Sequence, residues 1–460
     1  MIRKICCIGA GYVGTPTMAV IALKCPNVDI TVVDSNKSRI DAWNSSNSYD
    51  FPVKEPGLDD IIKEVRNKNL FFSSNIDKHI DESEMIFLAV NTPTKKEGEG
   101  KGFAADLTNI DKCAKQIAMI SSSNKIIVEK STLPVRTAER LKEIINKHRK
   151  NDVNFEIISN PEFLAEGTAI RDLFKSDRVL IGSDQTKVGL AAMESLVNIY
   201  KKWIPEERII KMNIWSSELS KLASNAMLAQ RISSINSLSA ITEKTEAKIN
   251  ELSLAIGKDH RIGDKFLNVS PGFGGSCFKK DILNLVYLCN YFGLKEVGIY
   301  WEKVLDINSW QQARICRIIT NKLFGNLHEK KISILGFAFK SNTNDTRESP
   351  AIKICSDLLN EGAILSIYDP KVEEYQIKNH LYQDGVKVSN INITKSIEES
   401  IKDSDAIVIL TEWDEFLNLD WQKISQIMRH PSWLFDTRGI SNSENIEKFG
   451  INVWEIGISE

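Results

Sequence analysis

A chain of 460 residues exceeds what one compact core ordinarily holds, so its 42% hydrophobic and 26% charged residues are expected to fill three globular units. A net charge of -2, with no charged run beyond the mixed patch Lys95–Lys101, excludes the electrostatic footprint of a nucleic-acid binder or of a protein held on an anionic membrane. No run of about 18 apolar residues could span a bilayer, and eight cysteines without a CxxC pair fit a reduced, cytoplasmic protein.

The first element expected is a strand in "KICCIGAGYVG", which ends in Gly9, Gly11 and Gly14 and leads into the helix-like "TPTMAVIALK". Glycines at this spacing allow a tight turn and a close backbone approach, while the amides at the helix start can receive a pyrophosphate. The next strand, "ITVVD", ends in Asp34 about twenty residues on, where a carboxylate would accept the ribose hydroxyls and repel a 2'-phosphate, favouring NAD over NADP. Arg39 nearby pulls the other way, because an arginine there can accommodate a phosphate. "MIFLAVNTP" and "KIIVEKST" follow, placing Val90, Asn91, Thr92 and Thr94, and then Ser131 and Thr132, at strand ends facing the same crevice. After the strand "FEIIS" comes "NPEFLAEG", expected to be an exposed loop in which Glu162 or Glu166 could be a general base.

From Ser216 to Ile256 the chain has helical periodicity without Pro or interior Gly, predicting one long helix or two consecutive ones. Lys221 and Asn225 stand at i and i+4, hence on one face, as an oxyanion would require. In "PGFGGSCFKKD" the glycines let the backbone bend tightly and admit a substrate close to Cys277, with Lys279 or Lys280 near enough in sequence to favour a thiolate and Asp281 to position water. Oxidising an alcohol to an aldehyde needs no thiol. Taking the aldehyde to an acid does, because a thiolate makes a hemithioacetal whose oxidation gives a hydrolysable thioester. The last third repeats the strand-turn order of the first: "KISILGFAFK", "LSIYDP", "AIVILTEWD" and "WLFDTRG". Apolar runs of this length between helical patterns indicate parallel strands. The fold class expected is therefore α/β, with two Rossmann-like doubly wound parallel-sheet domains joined by a long central helical segment, divided as 1–212, 213–325 and 326–460. No metal is expected, since the six histidines are scattered and none pairs with a cysteine at ligand spacing.

These stretches, with "EKSTLPVRTAE", "WSSELSKLASNAMLAQRISSINS", "DTRES" and "YDPKV", resemble the nucleotide-sugar dehydrogenases of the UDP-glucose/GDP-mannose family over nearly the whole chain, most of all the animal UDP-glucose enzymes. The resemblance implies NAD-dependent four-electron oxidation of UDP-glucose to UDP-glucuronate, with UDP-N-acetylmannosamine or GDP-mannose as the alternative substrate. It makes Cys277 the nucleophile, Lys221 with Asn225 the oxyanion site, and Thr132, Glu162 and Asp281 the base and water residues. Tyr12, Val13 and Arg347 would join the cofactor site, and Glu166 would touch both ligands. Phe163, Leu164, the loop Phe266–Gly274 with Phe273, Phe278, Phe339, Lys340 and Arg438 would hold the sugar nucleotide. Arg261 would reach a neighbouring subunit's site, implying a homo-oligomer, either a dimer or a hexamer built from dimers. Thr15 and Pro271 depart from the family pattern, and length changes fall around Ser45–Val53 and after His380.

Overall fold

The computed structural model describes residues 2–150, 152–383 and 390–459. Part of the segment after His380, residues 384–389, lies outside the described residues. The chain divides into two compact units, Met1–Ser224 and Asn225–Glu460. The division falls inside the helix Ile214–Thr242.

In the first unit, β1 (Lys4–Ile8), β2 (Asp29–Val33), β3 (Leu70–Ser73), β4 (Met85–Leu88), β5 (Lys125–Glu129), β6 (Phe155–Ser159), β7 (Val179–Ser183) and β8 (Ile209–Asn213) form one sheet in the order β3-β2-β1-β4-β5-β6-β7-β8. The strands are apolar without alternation because both faces are covered by helices, and all four residues of β4 are buried. Phe87, at its centre, is fully buried, and truncating it to alanine would cost about 3–5 kcal/mol in transfer and cavity terms. The sheet is not wholly parallel, as its first half led us to expect. β7 runs antiparallel to β6, and β8 then runs parallel to β7.

The second unit has β9 (Lys331–Leu335), β10 (Ile364–Tyr368), β11 (Ile391–Ile393), β12 (Ala406–Ile409), β13 (Ser432–Asp436) and β14 (Ile451–Glu455), in the order β11-β10-β9-β12-β13-β14. This is the same 3-2-1-4-5-6 winding as the first six strands, and every pair is parallel. In each sheet the order reverses beside the first strand, between β1 and β4 and between β9 and β12, so a ligand crevice is expected beyond those carboxyl ends. The central periodicity resolves into two consecutive helices, Ile214–Thr242 and Ile249–Gly257, followed by Phe278–Tyr291 and Lys295–Lys322. Among the described residues no helix is long and apolar enough to cross a membrane.

Candidate active site

In the first unit the turn after β1 is shaped by Gly9 at φ +114°, where a Cβ would lie 2.3 Å from the Ala89 carbonyl oxygen. Any side chain would therefore push β1 off β4. At Gly11, by contrast, a Cβ would meet nothing within 4 Å, and no side chain caps the helix Gly14–Lys24 that follows. An open backbone before an uncapped helix start is what a pyrophosphate requires, so these residues fit NAD. Tyr12 and Val13 complete the turn, and the Tyr12 hydroxyl accepts from the Gly167 N–H at 3.3 Å.

Asp34 is buried. It accepts from the Ala10 N–H (3.0 Å), the Asn36 N–H (2.8 Å) and Arg39 Nη1 (3.0 Å). A carboxylate has about four acceptor positions, so little capacity remains for two ribose hydroxyls unless Arg39 yields its place. Arg39 is thus engaged as the partner of Asp34 rather than held in reserve for a phosphate. The loops after β4 and β5 are tied to each other: Ser131 Oγ donates to the Val90 carbonyl at 2.7 Å, Thr92 Oγ1 to the Thr132 carbonyl at 3.0 Å, and Asn109 to the Asn91 carbonyl at 3.2 Å. Thr94 makes an isolated bridge with Ala105. The Ser131 and Thr92 hydroxyl protons are committed across the loops, leaving their oxygens as acceptors.

Glu162 is not the surface carboxylate expected of an exposed loop. One oxygen accepts from the Phe163 and Leu164 N–H groups (2.7 and 3.0 Å), the other from Lys130 Nζ (2.9 Å) and Thr17 Oγ1 (3.4 Å). Burial alone would raise its pKa, but the charge and hydrogen bond of Lys130, with the two backbone donors, outweigh burial and hold it below the usual range. Lys130 also donates to Asn160 Oδ1 at 3.0 Å and Tyr200 Oη at 3.2 Å. The ring of Phe163 carries two cations, the Arg178 guanidinium at 4.1 Å and Lys221 Nζ at 4.9 Å from its centroid. Leu164 packs against the sheet core, and Glu166 and Thr132 are half-buried in their loops.

In the second unit Asn225 donates to Asp281 Oδ2 at 2.6 Å, both side chains being buried. Asp281 lies in the first turn of Phe278–Tyr291, its N–H bonded to the Cys277 carbonyl at 2.9 Å. Cys277 immediately precedes that helix, which no side chain caps, and it alone of the eight cysteines is exposed. Its Sγ is 3.5 Å from Ser276 Oγ. Lys279 turns to Glu348 at 2.8 Å instead of to the thiol, and Lys280 stands 3.9 Å from Asp281. The glycines before the thiol serve packing: a Cβ on Gly274 would meet the Glu348 carbonyl oxygen at 2.5 Å, and Gly275 donates its N–H to the Arg347 carbonyl at 2.8 Å.

The loop aromatics divide. Phe273 is buried edge-on to Phe278, with both its backbone groups held by the Asn308 amide, whereas Phe266 is exposed. Phe273 and Phe278 therefore build the floor of this region rather than its surface. Arg438 is half-buried, with Nε on the Leu410 carbonyl (2.8 Å), Nη2 on that of Phe339 (3.3 Å) and Nη1 against Glu412 (2.8 Å). Lys340 Nζ lies 5.6 Å from the Phe339 ring centroid. Arg347 is paired with Asp345 and Arg261 with Asp259, both arginines exposed.

Residues 3–204, 215–310 and 333–443 match, in turn, the NAD binding, central and UDP binding domains described for the UDP-glucose/GDP-mannose dehydrogenase family. The chain belongs to that family. It is 52% identical to "UDP-glucose 6-dehydrogenase 3" of Arabidopsis thaliana, over 99% of this chain and 97% of the relative, and 52% identical to the UDP-glucose 6-dehydrogenase of Drosophila melanogaster, over 99% and 96%. The likeness to animal enzymes is thus shared equally by plant ones. Among solved structures, a UDP-glucose dehydrogenase from Pyrobaculum islandicum matches with a TM-score of 0.86 at 25% identity, covering 100% of this chain and 98% of that one.

Several residues around Glu162 had no part in the sequence reading: Tyr200 and Arg178 stand in no motif, and Lys130 and Asn160 were given no role within "KIIVEKST" and "NPEFLAEG". A signal existed for Lys130, because a lysine at the end of an apolar strand, directly after Val128 and Glu129, must find a buried partner. Glu129 pairs with Ser159 in register, so the residue after each strand faces the other, and "NPE" places Glu162 within reach.

Proposed function

We propose that this family member oxidises UDP-glucose to UDP-glucuronate in two successive steps, consuming two NAD and one water. The observation that carries the reading is the lone exposed thiol of Cys277 at an uncapped helix start, in a chain whose first 200 residues match an NAD binding domain. Full-length identity of 52% to UDP-glucose 6-dehydrogenases of plants and a fly supports UDP-glucose over UDP-N-acetylmannosamine or GDP-mannose.

NAD, bound between the glycine turn and Asp34, supplies a hydride acceptor on each occasion. The chain does the rest. Cys277 adds as thiolate to the carbonyl carbon of the aldehyde and remains joined to it as a hemithioacetal, then as a thioester; water cleaves the thioester, releasing a carboxylate and the thiol. Lys221 and Asn225, one turn apart on a helix, stabilise the oxyanion. Asp281, buried and bonded to Asn225, holds water and receives its proton, and Thr132 is a further residue of the base and water chemistry. Glu162 already accepts from four donors. It acts as a fixed negative charge that shapes the Phe163–Glu166 loop, a poor proton acceptor by comparison. Lys340 and Arg438 bind the nucleotide from the second sheet, and Arg347 contacts cofactor.

The working divisions are 1–212, 213–325 and 326–460. We place the enzyme in the cytoplasm as a homo-oligomer, a reading supported by exposed apolar residues on the central helices, among them Ile241, Leu254, Tyr291 and Tyr300, more than scattered surface residues require. The test is stoichiometry: purified protein supplied with a panel of UDP- and GDP-sugars should form two NADH per UDP-glucose, and Cys277→Ser should lose turnover while still binding UDP-glucose. One NADH per substrate, or wild-type turnover in the serine variant, overturns the mechanism.

A further inference from the structure

Glu129, the last residue of β5, is fully enclosed, yet no N–H or hydroxyl donates to either of its carboxyl oxygens. Its hydrogen-bonding neighbour is a second buried carboxyl group, Glu218 of the helix Ile214–Thr242. Glu218 is already an acceptor twice over, from the Arg136 N–H at 2.6 Å and the Ala138 N–H at 2.8 Å, where the helix Thr137–His148 begins. Two carboxylates in contact, out of water and with no cation bonded to either, are not a stable arrangement. One must hold a proton, and Glu129, which no donor serves, is the one with an oxygen to carry it.

We propose that Glu129 is a neutral acid donating its proton to a Glu218 carboxylate, and that this pair positions Thr132 and Lys221 relative to each other. Thr132 lies three residues beyond Glu129, and Lys221 three residues beyond Glu218. The inference rests on the reading of those two as active-site residues. The other charged groups acting on the pair are few. Lys142, from the helix Thr137–His148, lowers both carboxyl groups but is itself paired with Asp184 beyond β7; Glu156 on β6 faces Lys142 and Asp184. Burial raises Glu129 well above the carboxylic range and Glu218 to about 7. With both acids raised, the pair carries two protons in acid, shares one once the first is lost near pH 7, and loses the arrangement as pH climbs further; the stability that the protonated acids contribute is present at low pH and falls away over that alkaline range.

The experiment compares wild type, Glu129→Gln and Glu129→Leu. Glutamine keeps a donor for Glu218 and cannot lose it, while leucine leaves Glu218 facing an apolar group. Glu129→Gln is expected to turn over at least about tenfold faster than Glu129→Leu, a gap of ~1.4 kcal/mol, with similar KM for UDP-glucose. Its alkaline loss of kcat should fall at higher pH than that of wild type. Infrared difference spectra of wild type minus Glu129→Gln at neutral pH should contain the carbonyl stretch of a protonated carboxyl group. That measurement needs no activity, so it decides the shared proton even where the leucine variant does not fold or wild type proves inactive on UDP-glucose. Absence of the band overturns the pair; equal kcat in both variants with an unmoved alkaline limb overturns its positioning role.

Discussion

Lys130 and Glu162 carry opposite charges into the first unit with 4% and 13% of their side chains exposed, and their effect on stability follows from that burial. Removing one partner of a buried pair leaves the other charge without compensation, at a cost of about 3–5 kcal/mol. Lys130→Met should therefore lower the denaturant midpoint far more than a change at an exposed pair such as Lys211 with Glu194, whose contribution is about 0–1 kcal/mol. Equal effects would show the buried pair to be dispensable. The pH dependence has a definite sign. Because the Glu162 pKa is depressed in the folded state, its stabilisation is present above the unfolded carboxyl value, about 4.3, and is lost as pH falls through the lower folded value. Unfolding followed from pH 6 downward should accordingly be flatter in Glu162→Gln than in wild type. At this scale the sequence was legible where chemistry demands a particular atom: Cys277 stood out because two-electron oxidation leaves a thiol without a task. Lys130 was hidden because its role depends on a partner beyond the end of the neighbouring strand β6, and Glu162 was misjudged because loop composition does not reveal four converging donors.

Strands announced by apolar runs, such as β4, β5, β9 and β12, are the buried centres of their sheets, where both faces demand apolar residues. Less visible were the margins: β3 and β11 are short edge strands, and β8 ends in exposed Ile210, Lys211 and Asn213, so no long apolar run marks them. The glycine loop before Cys277 was read as room for substrate, but its geometry shows backbone packed on backbone. Gly275 is at φ +83° with a would-be Cβ 3.0 Å from the Phe339 ring, and at Gly274 the obstacle is the Glu348 carbonyl oxygen. A carbonyl cannot rotate aside as a side-chain tip can, so Gly274→Ala should displace the loop that leads to the thiol. Turnover is expected to fall at least about tenfold, the effect of a barrier change near 1.4 kcal/mol, with NAD binding by the first unit retained. Gly98→Ala is the contrasting control: a Cβ there meets nothing within 4 Å and only the φ of +71° opposes alanine, so backbone strain without a clash should leave turnover intact. Steady-state kinetics with calorimetric NAD titration separate these outcomes, and an active Gly274→Ala would refute the packing role.

At the scale of the whole molecule, the repeated 3-2-1-4-5-6 winding could be foreseen because both halves carry the same order of strand endings, whereas quaternary structure has no such periodic signal. Arg261 provides the means to test it. Its side chain is 78% exposed and, among the described residues, pairs with Asp259, two residues away, an exposed pair too weak to fix it in place. An arginine is suited to leave such a partner for a diphosphate, which offers bidentate, charge-assisted bonds. If Arg261 completes the site of a neighbouring subunit, Arg261→Ala and Cys277→Ala each disable a different chain of one composite site. Mixed after reversible dissociation, the two inactive proteins should form hybrids in which some sites combine an intact Cys277 from one chain with an intact Arg261 from the other. For a pairwise site and random exchange of equal amounts, activity should return to about a quarter of wild type, since each chain then supplies its intact residue half of the time. Native mass spectrometry of the mixture verifies that exchange took place. Exchange without any recovery would mean that Arg261 serves its own chain or none, and the composite site would have to be abandoned.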